Sequence, residues 1–122
     1  MKLDFSSDLP LYLQITDQVE DAIFSCAFPE ETQVPSTTEI SASLQINPAT
    51  VLKGMNLLVE EGLLYKKRGL GLFVMEGAVE KIRQKRQRQF YEKYVLSLVT
   101  EARKLRLSKE EIMALIERGF AL

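Results

Sequence analysis

Basic residues beside glycines are the first residues in this chain whose types and spacing could do chemistry. Lys66, Lys67 and Arg68 are consecutive, and Gly69 and Gly71 follow them closely. Such cations displace counterions from a phosphate backbone, and glycine lets another backbone approach. The segment therefore predicts a contact with nucleic acid. The alternative is that the charges only keep an exposed hairpin soluble.

Two helix-start patterns offer further polar groups. Ser36-Thr37-Thr38-Glu39 is a capping-box pattern, and the first N–H groups of such a helix favour an anion such as phosphate. Asn47 is a good helix N-cap residue, and the residue after it is a proline. The positions that follow are expected to face DNA or, alternatively, only solvent. They are Pro48, Ala49, Thr50 and Lys53.

These four residues differ in what they could recognise. Thr50 is suited to a phosphate, and Lys53 to a phosphate or a guanine edge. Ala49 can make only an apolar contact, for example with a thymine methyl group.

The groups that most catalytic and metal sites need are missing. The sequence has no histidine and one cysteine, Cys26, so one chain cannot build a Ser-His-Asp triad, a Cys-His pair or a disulfide. Cys26 is expected to be a small buried hydrophobic residue. Residues 69–71 are too short for a nucleotide-binding loop. We predict that the protein is not an enzyme and uses no cofactor or metal.

Apolar periodicity predicts the elements that position these groups. Residues 10–25, 36–44 and 47–61 have the spacing of three amphipathic helices, and residues 1–9 are expected to be a loosely ordered lead. The apolar runs 63–65 and 72–74 flank the basic loop 66–71 and indicate a β-hairpin. The order helix, helix, turn, helix, hairpin is that of a winged helix-turn-helix.

A helical tail is predicted beyond Gly77. Residues 78–106 lack proline and glycine and are expected to form one long helix. A second capping box, at 108–111, opens a last helix that Gly119 is expected to end. Apolar residues spaced 4-3-4-3 in the long helix are typical of a coiled-coil-like seam. They are Tyr91, Val95, Leu98, Ala102 and Leu105.

The predicted fold is therefore mainly α with a small β-hairpin. A winged helix-turn-helix DNA-binding domain at 9–76 precedes a two-helix dimerisation tail at 77–122.

Charge is unevenly distributed along the chain. Residues 1–62 hold two basic and ten acidic residues, whereas residues 63–122 hold fourteen basic and seven acidic ones. Residues 81–88 include five basic residues and no acid, which indicates either a second phosphate contact or a solvated helix start. Neither a signal peptide nor a run of about 18 apolar residues is present, so we expect a cytoplasmic protein with no membrane partner.

Five motifs in order resemble the GntR family of bacterial regulators and, more narrowly, its YtrA-like subgroup. PLYLQI at 10–15 is similar to the family's opening helix, and residues 35–40 are similar to its PSxRxLA segment. NPATV at 47–51 resembles the start of the recognition helix. LVEEGLLY at 58–65 and RGLGLFV at 68–74 resemble the wing. The match covers about residues 9–75.

The resemblance implies a homodimer that binds a two-fold symmetric operator in double-stranded DNA, usually as a repressor and often of a transporter operon. It also implies that the two-helix tail serves mainly for dimerisation. The sequence leaves open the operator, the existence of a small-molecule effector, and the choice between repressor and activator. Carried onto matching positions, the family's DNA contacts fall on Ser36, Pro48, Thr50, Arg68, Gly69 and Gly71.

One position departs from the family pattern. The family usually has a basic residue where this chain has Thr38, at a position expected to contact DNA. Together with the acidic first half, this departure supports a second interpretation. In that interpretation the chain is a winged-helix protein-interaction module with little DNA affinity.

Overall fold

Apolar faces repeating every three or four residues organise the first part of the chain into three helices followed by a hairpin. The computed structural model describes residues 1–122. Helix α1 is Leu11–Phe24, α2 is Thr37–Leu44, and α3 is Pro48–Glu60. Strands β1, Leu64–Lys67, and β2, Gly71–Val74, form a two-stranded antiparallel sheet. Helix α4, Ala78–Phe90, follows.

The tail continues with a π-helical turn at Tyr91–Val95, helix α5 at Leu96–Lys104 and helix α6 at Lys109–Phe120. The chain separates into two compact units, Met1–Gln84 and Lys85–Leu122. The mainly α fold with one small hairpin is confirmed. The functional division at residue 76 stays a prediction.

One hydrophobic core holds the first unit together. Helices α1 and α3 bury their four-residue stripes against each other and against the hairpin, and each large apolar side chain buried in this way contributes about 1.5–3 kcal/mol. The fully buried side chains are Ile15, Val19, Ile23, Val51, Met55, Leu58, Leu63, Leu64, Val74, Ala78 and Ile82. Ile82 belongs to α4, so the first turns of that helix complete this core.

The N-terminal segment is ordered, and the prediction of a loose lead was wrong. The buried Gln14 side chain donates to the carbonyl oxygens of Asp4 at 2.9 Å and Leu9 at 2.8 Å, and it accepts from the Asp4 N–H at 2.8 Å. Gln18 accepts from the Lys2 N–H at 3.0 Å. Glutamine hydrogen bonds of this kind leave no apolar periodicity, so the sequence pattern did not reveal them.

Cys26 also differs from its prediction, because the structure places it in the exposed turn after α1 and not in the core. Its φ of 64° lies in the left-handed region.

The tail is not one uninterrupted α-helix as predicted. The π-helical turn at 91–95 interrupts it, and an extra residue in one turn shifts the angular position of everything that follows. Ser108 caps α6 with the predicted capping box, accepting from the Glu111 N–H at 3.1 Å. Gly119 lies inside α6 and does not end it. Each helix falls short of the length and apolar character that crossing a membrane requires.

Candidate nucleic-acid interface

Helix α2 begins at a complete capping box. The Ser36 hydroxyl accepts from the Glu39 N–H at 3.0 Å, and the Glu39 carboxylate accepts from the Ser36 N–H at 3.2 Å. Ser36 and Thr37 are half-buried, while Thr38 is exposed. The first N–H groups of the helix, at Thr37 and Thr38, point out of the helix end and are suited to a phosphate. The Glu39 carboxylate in the same turn opposes an anion there.

A tight turn joins α2 to α3 and fixes their relative angle. Gln45 adopts the left-handed conformation, with φ 55° and ψ 48°. The Ser41 hydroxyl donates to the Ile46 carbonyl at 2.6 Å and so ties the turn to α2. Asn47 then caps α3, accepting from the Ala49 N–H at 2.8 Å. This is the predicted turn of a helix-turn-helix.

The start of α3 is available to a ligand. Pro48, Ala49 and Lys53 are exposed, and Thr50 is half-buried. The Lys53 ammonium lies 4.0 Å from the centroid of the Tyr12 ring on α1, so its charge is directed toward α1. A lysine over an aromatic face in this way gains cation–π attraction.

Close packing of α1 on α3 holds that helix in place. The Thr16 hydroxyl on α1 donates to the Gly54 carbonyl at 2.8 Å in the buried interface. A Cβ atom on Gly54 would lie 2.5 Å from the Tyr12 carbonyl oxygen. Only glycine allows this approach, and the apolar spacing over residues 47–61 did not reveal the role of Gly54.

The hairpin forms as predicted, but its basic residues are distributed differently. Lys66 pairs with Leu72 and Lys67 with Gly71, so both lysines belong to β1 and the turn contains only residues 68–70. The prediction of a loop from 66 to 71 was therefore too long. Successive strand residues point to opposite faces, so the lysines do not share one face. All three cations, including Arg68 in the turn, are exposed.

The lysine on the aromatic face of the hairpin has an identifiable contact. The Lys67 ammonium lies 4.3 Å from the centroid of Phe73 and 5.8 Å from that of Tyr65. These two rings are paired across the strands, with centroids 5.9 Å apart. The rings therefore support the lysine along the strand and leave Lys66 and Arg68 as the freer charges of the wing.

Residues 32–34 lie alongside β2 as a third extended segment of the wing, which the sequence did not predict. The Val34 N–H donates to the Leu72 carbonyl at 2.9 Å, and the Val74 N–H donates to the Thr32 carbonyl at 3.0 Å. Gln33 donates from its side chain to the Leu70 carbonyl in the turn at 2.5 Å. Gln33 thus braces the wing tip, and a Cβ atom on Gly71 would lie 2.9 Å from its amide nitrogen.

Helix α4 starts with its own cap and carries the basic segment 81–88. The Glu30 carboxylate accepts from the N–H groups of Gly77 at 2.8 Å and Val79 at 3.0 Å. These backbone bonds, that of Gly77 foremost, hold the pKa of Glu30 below its usual value. Arg83 pairs with Glu80 and lies over the Phe24 ring. Arg83 therefore has contacts within the first unit, and a phosphate contact from the segment 81–88 stays a prediction.

The predicted seam residues of the tail separate into two groups. Tyr91, Leu98 and Leu105 are exposed, whereas Val95 is half-buried and Ala102 is buried within the chain. The Leu107 N–H donates to the Ala102 carbonyl at 2.9 Å, closing the turn toward α6. The π-helical turn at 91–95 shifts the angular position of Tyr91 relative to the seam residues that follow it, and the seam itself stays a prediction.

No group of three or more histidine, cysteine, aspartate or glutamate residues is arranged to hold a metal ion.

The structure brings together the α2 start, the α3 start and the hairpin in one unit.

The first unit matches a known family. The model for "Bacterial regulatory proteins, gntR family" matches residues 11–74, more than half of the chain. YhcF, an HTH-type transcriptional regulator of Bacillus subtilis (strain 168), is 29% identical over 93% of this chain and 92% of its own length. YtrA, an HTH-type transcriptional repressor of the same strain, is 30% identical over 64% of this chain and 60% of its own length.

Solved structures give the same likeness. A transcriptional regulator of the GntR family from Bacteroides thetaiotaomicron is 32% identical, with a TM-score of 0.74 over 90% of this chain and 96% of that one. The AraR DNA-binding domain, solved in complex with operator ORX1, is 26% identical. Its TM-score is 0.55 over 61% of this chain and 92% of that domain.

Proposed function

Because the chain belongs to the GntR family of bacterial regulatory proteins, as a YtrA-like DNA-binding transcription regulator, we propose that it acts as a homodimeric repressor on a two-fold symmetric operator. In this proposal residues 9–76 bind double-stranded DNA, and residues 77–122 form the dimer. Action on bacterial DNA places the protein in the cytoplasm.

The observation that carries the DNA-binding mode is the exposed start of α3 in the same compact unit as a hairpin with three exposed cations. The first turns of the second helix of such a motif enter the major groove, and cations on the wing contact the phosphate backbone. Pro48, Ala49, Thr50 and Lys53 are therefore the proposed groove residues, with Lys66, Lys67, Arg68, Gly69 and Gly71 on the wing. The AraR domain with a similar fold was solved on an operator, which supports this mode of binding.

At the start of α2, Ser36, Thr37 and Thr38 are proposed to contact phosphate through backbone N–H groups and hydroxyls. The N-terminal end of a helix carries the positive end of its dipole. Because Ser36 also caps the helix, its hydroxyl is the least free of the three.

Exposed apolar side chains in the second unit support the homodimer. Tyr91, Leu98 and Leu105 are 58%, 42% and 62% exposed, and Met113 and Ile116 on α6 are 51% and 45% exposed. A unit of 38 residues, Lys85–Leu122, buries few of its own apolar side chains. Large exposed apolar surfaces mark association sites. A second copy supplies an equivalent surface, and a two-fold axis matches a symmetric operator.

Repression is proposed because YtrA is a transcriptional repressor. A dimer bound at a promoter competes with transcription initiation for the same DNA. The regulated genes in this proposal are those of a transporter operon.

The first experiment is fluorescence anisotropy on DNA from upstream of the protein's own gene, with scrambled DNA of the same composition as control. We expect binding that is selective for the natural sequence and that weakens steeply as salt rises. Equal affinity for both DNAs at every salt concentration would contradict a sequence-specific regulator.

A protein-interaction module with little DNA affinity is the second candidate. Glu39 at the start of α2 and Lys53 directed toward Tyr12 both reduce the positive charge that faces DNA. The same titration distinguishes the two functions, because this module would leave anisotropy unchanged on both DNAs even at low salt.

A further inference from the structure

The exposed face of α3 is nearly devoid of charge where it would meet base pairs. Val51, Met55 and Leu58 bury the opposite side of the helix completely. At 100° per residue, Ala49, Leu52 and Asn56 lie together on the outer side. Ala49 and Asn56 are exposed, and Leu52 is 47% exposed. Lys53 lies on this side as well, so two apolar side chains and one amide share the outer face with a single cation.

The only cation of α3 is directed away from the centre of that face. Lys53 is the one basic residue among Pro48–Glu60. Its ammonium lies 4.0 Å from the Tyr12 ring centroid, where cation–π attraction holds it against α1. Lys53 is thus a groove residue whose ammonium is held at the α1 side of this face, where it is suited to a phosphate.

Base chemistry then limits what the helix can recognise. In the major groove, guanine is read by arginine or lysine through O6 and N7. Adenine is read by asparagine or glutamine through N6 and N7, and thymine by apolar contact with its methyl group. Ala49 and Leu52 match thymine, and Asn56 matches adenine.

We infer that helix α3 selects A·T base pairs, with Leu52 packing on a thymine methyl group and Asn56 bonding an adenine edge. This inference rests on the proposed DNA-binding function and adds the base preference under α3. A half-exposed leucine on a groove-facing helix gains from binding, because contact with a methyl group removes its surface from water. Leu52 is accordingly a specificity-determining residue.

The test begins with selection of duplexes from a random library by the full-length protein. A·T pairs are expected at the central half-site positions. Thymines at those positions are then replaced one at a time by deoxyuridine, which lacks only the methyl group. Removal of one buried methyl group should weaken binding about three- to fourfold at the position under Leu52.

Variants connect the effect to the side chains. In Leu52→Ala, the deoxyuridine penalty should disappear at that same position, while Leu9→Ala, which shortens a leucine outside α3, should retain it. Asn56→Ala should reduce discrimination of adenine from guanine about tenfold at one position.

The outcomes separate this inference from the proposed function. Selected half-sites with recurrent guanines under α3, or a deoxyuridine penalty that Leu52→Ala leaves intact, would overturn the A·T assignment while DNA binding stands. Failure to enrich any sequence would overturn sequence-specific binding itself.

Discussion

Gly54 is a single residue on which the position of the recognition helix depends. Its missing side chain lets the Tyr12 carbonyl approach α3, and its own carbonyl receives the Thr16 hydroxyl. In an isolated helix, glycine is less stable than alanine. Here the packing requirement outweighs that intrinsic preference.

Gly54→Ala should therefore lower the free energy of unfolding by about 1–3 kcal/mol, because the new methyl group overpacks the interface. Urea denaturation followed by circular dichroism measures the change. Gly119→Ala is the matched control, since Gly119 is also helical but its added Cβ would meet no atom within 4 Å beyond its own helix backbone and chain neighbours. In the Gly119→Ala control, the free energy of unfolding should rise by up to about 1 kcal/mol. Equal gains in both variants would contradict the packing role of Gly54.

At the scale of elements, the wing is defined by its three neighbouring segments. β1 and the turn supply the cations, β1 and β2 each supply one supporting ring, and residues 32–34 pair with β2. The Gln33 amide fixes the turn carbonyl of Leu70. This hydrogen bond holds the wing tip in addition to the strand pairing, which supports the proposed contact of the wing with phosphate.

Changing Lys66, Lys67 and Arg68 together to alanine should weaken DNA binding while the fold persists. The affinity falls as salt rises, and this dependence should become shallower in the variant. For each phosphate that is no longer neutralised, the magnitude of the slope of log affinity against log salt should fall by about one. Anisotropy at several salt concentrations measures both quantities. The control is a variant in which Arg103, Lys104 and Lys109 are changed to alanine, which alters the net charge by the same amount but in the second unit. An unchanged salt slope in the wing variant would exclude the wing as a contact.

The start of α4 depends on a distant carboxylate. Glu30 caps this helix across 47 residues of sequence, and its pKa is lowered by the N–H groups that it accepts from. A carboxylate whose pKa is lowered on folding stabilises the native state above its unfolded pKa. That stabilisation is lost as the pH falls through the lowered native value.

Glu30→Gln should therefore melt at a lower temperature than the unmodified protein at pH 7. The difference should narrow as the pH falls below about 4.5, the ordinary pKa of this carboxyl. Thermal melts across that range measure the difference, and Glu76→Gln is a control with an exposed glutamate nearby. A difference that stays constant with pH would contradict the charged cap.

Local signals in the sequence were enough to predict most elements. Ser36, Asn47 and Ser108 mark helix starts through short-range hydrogen bonds, and all three cap helices in the structure. Gln14, Gln33 and Glu30 act on residues that are distant in sequence or outside regular elements. Such contacts depend on the completed fold, so periodicity could not reveal them.

The candidate site was predictable to a similar extent. Its candidate residues could be proposed because helix starts and a basic turn are local patterns. The contact of Lys53 with Tyr12 was missed because two helices must pack first. The π-helical turn at 91–95 was missed because nothing in its composition departs from that of an α-helix.

On the scale of the whole molecule, the proposed dimer doubles every contact with DNA. Two winged units on one two-fold axis reach half-sites about one helical turn apart, roughly 34 Å. Six wing cations then act on one operator, which offsets the acidic first half of each chain. The affinity for operator DNA is thus expected to depend on dimerisation.

Leu98→Glu should convert dimers to monomers, because it places a charge within the exposed apolar surface of the tail. Sedimentation velocity measures the mass, and operator affinity should fall together with it. Leu9→Glu introduces the same charge at a leucine of similar exposure, 40% against 42%, in the first unit. An intact Leu98→Glu dimer would show that Leu98 lies outside the interface.

The exposed turn after α1 makes the natural protein ready for site-directed labelling. Cys26 is the only thiol and is exposed, so a maleimide dye or nitroxide attaches at one known position in each chain. In a homodimer, the two labels report a single intersubunit separation by pulsed electron spin resonance. That separation can be followed as operator DNA is added, without any substitution in the chain.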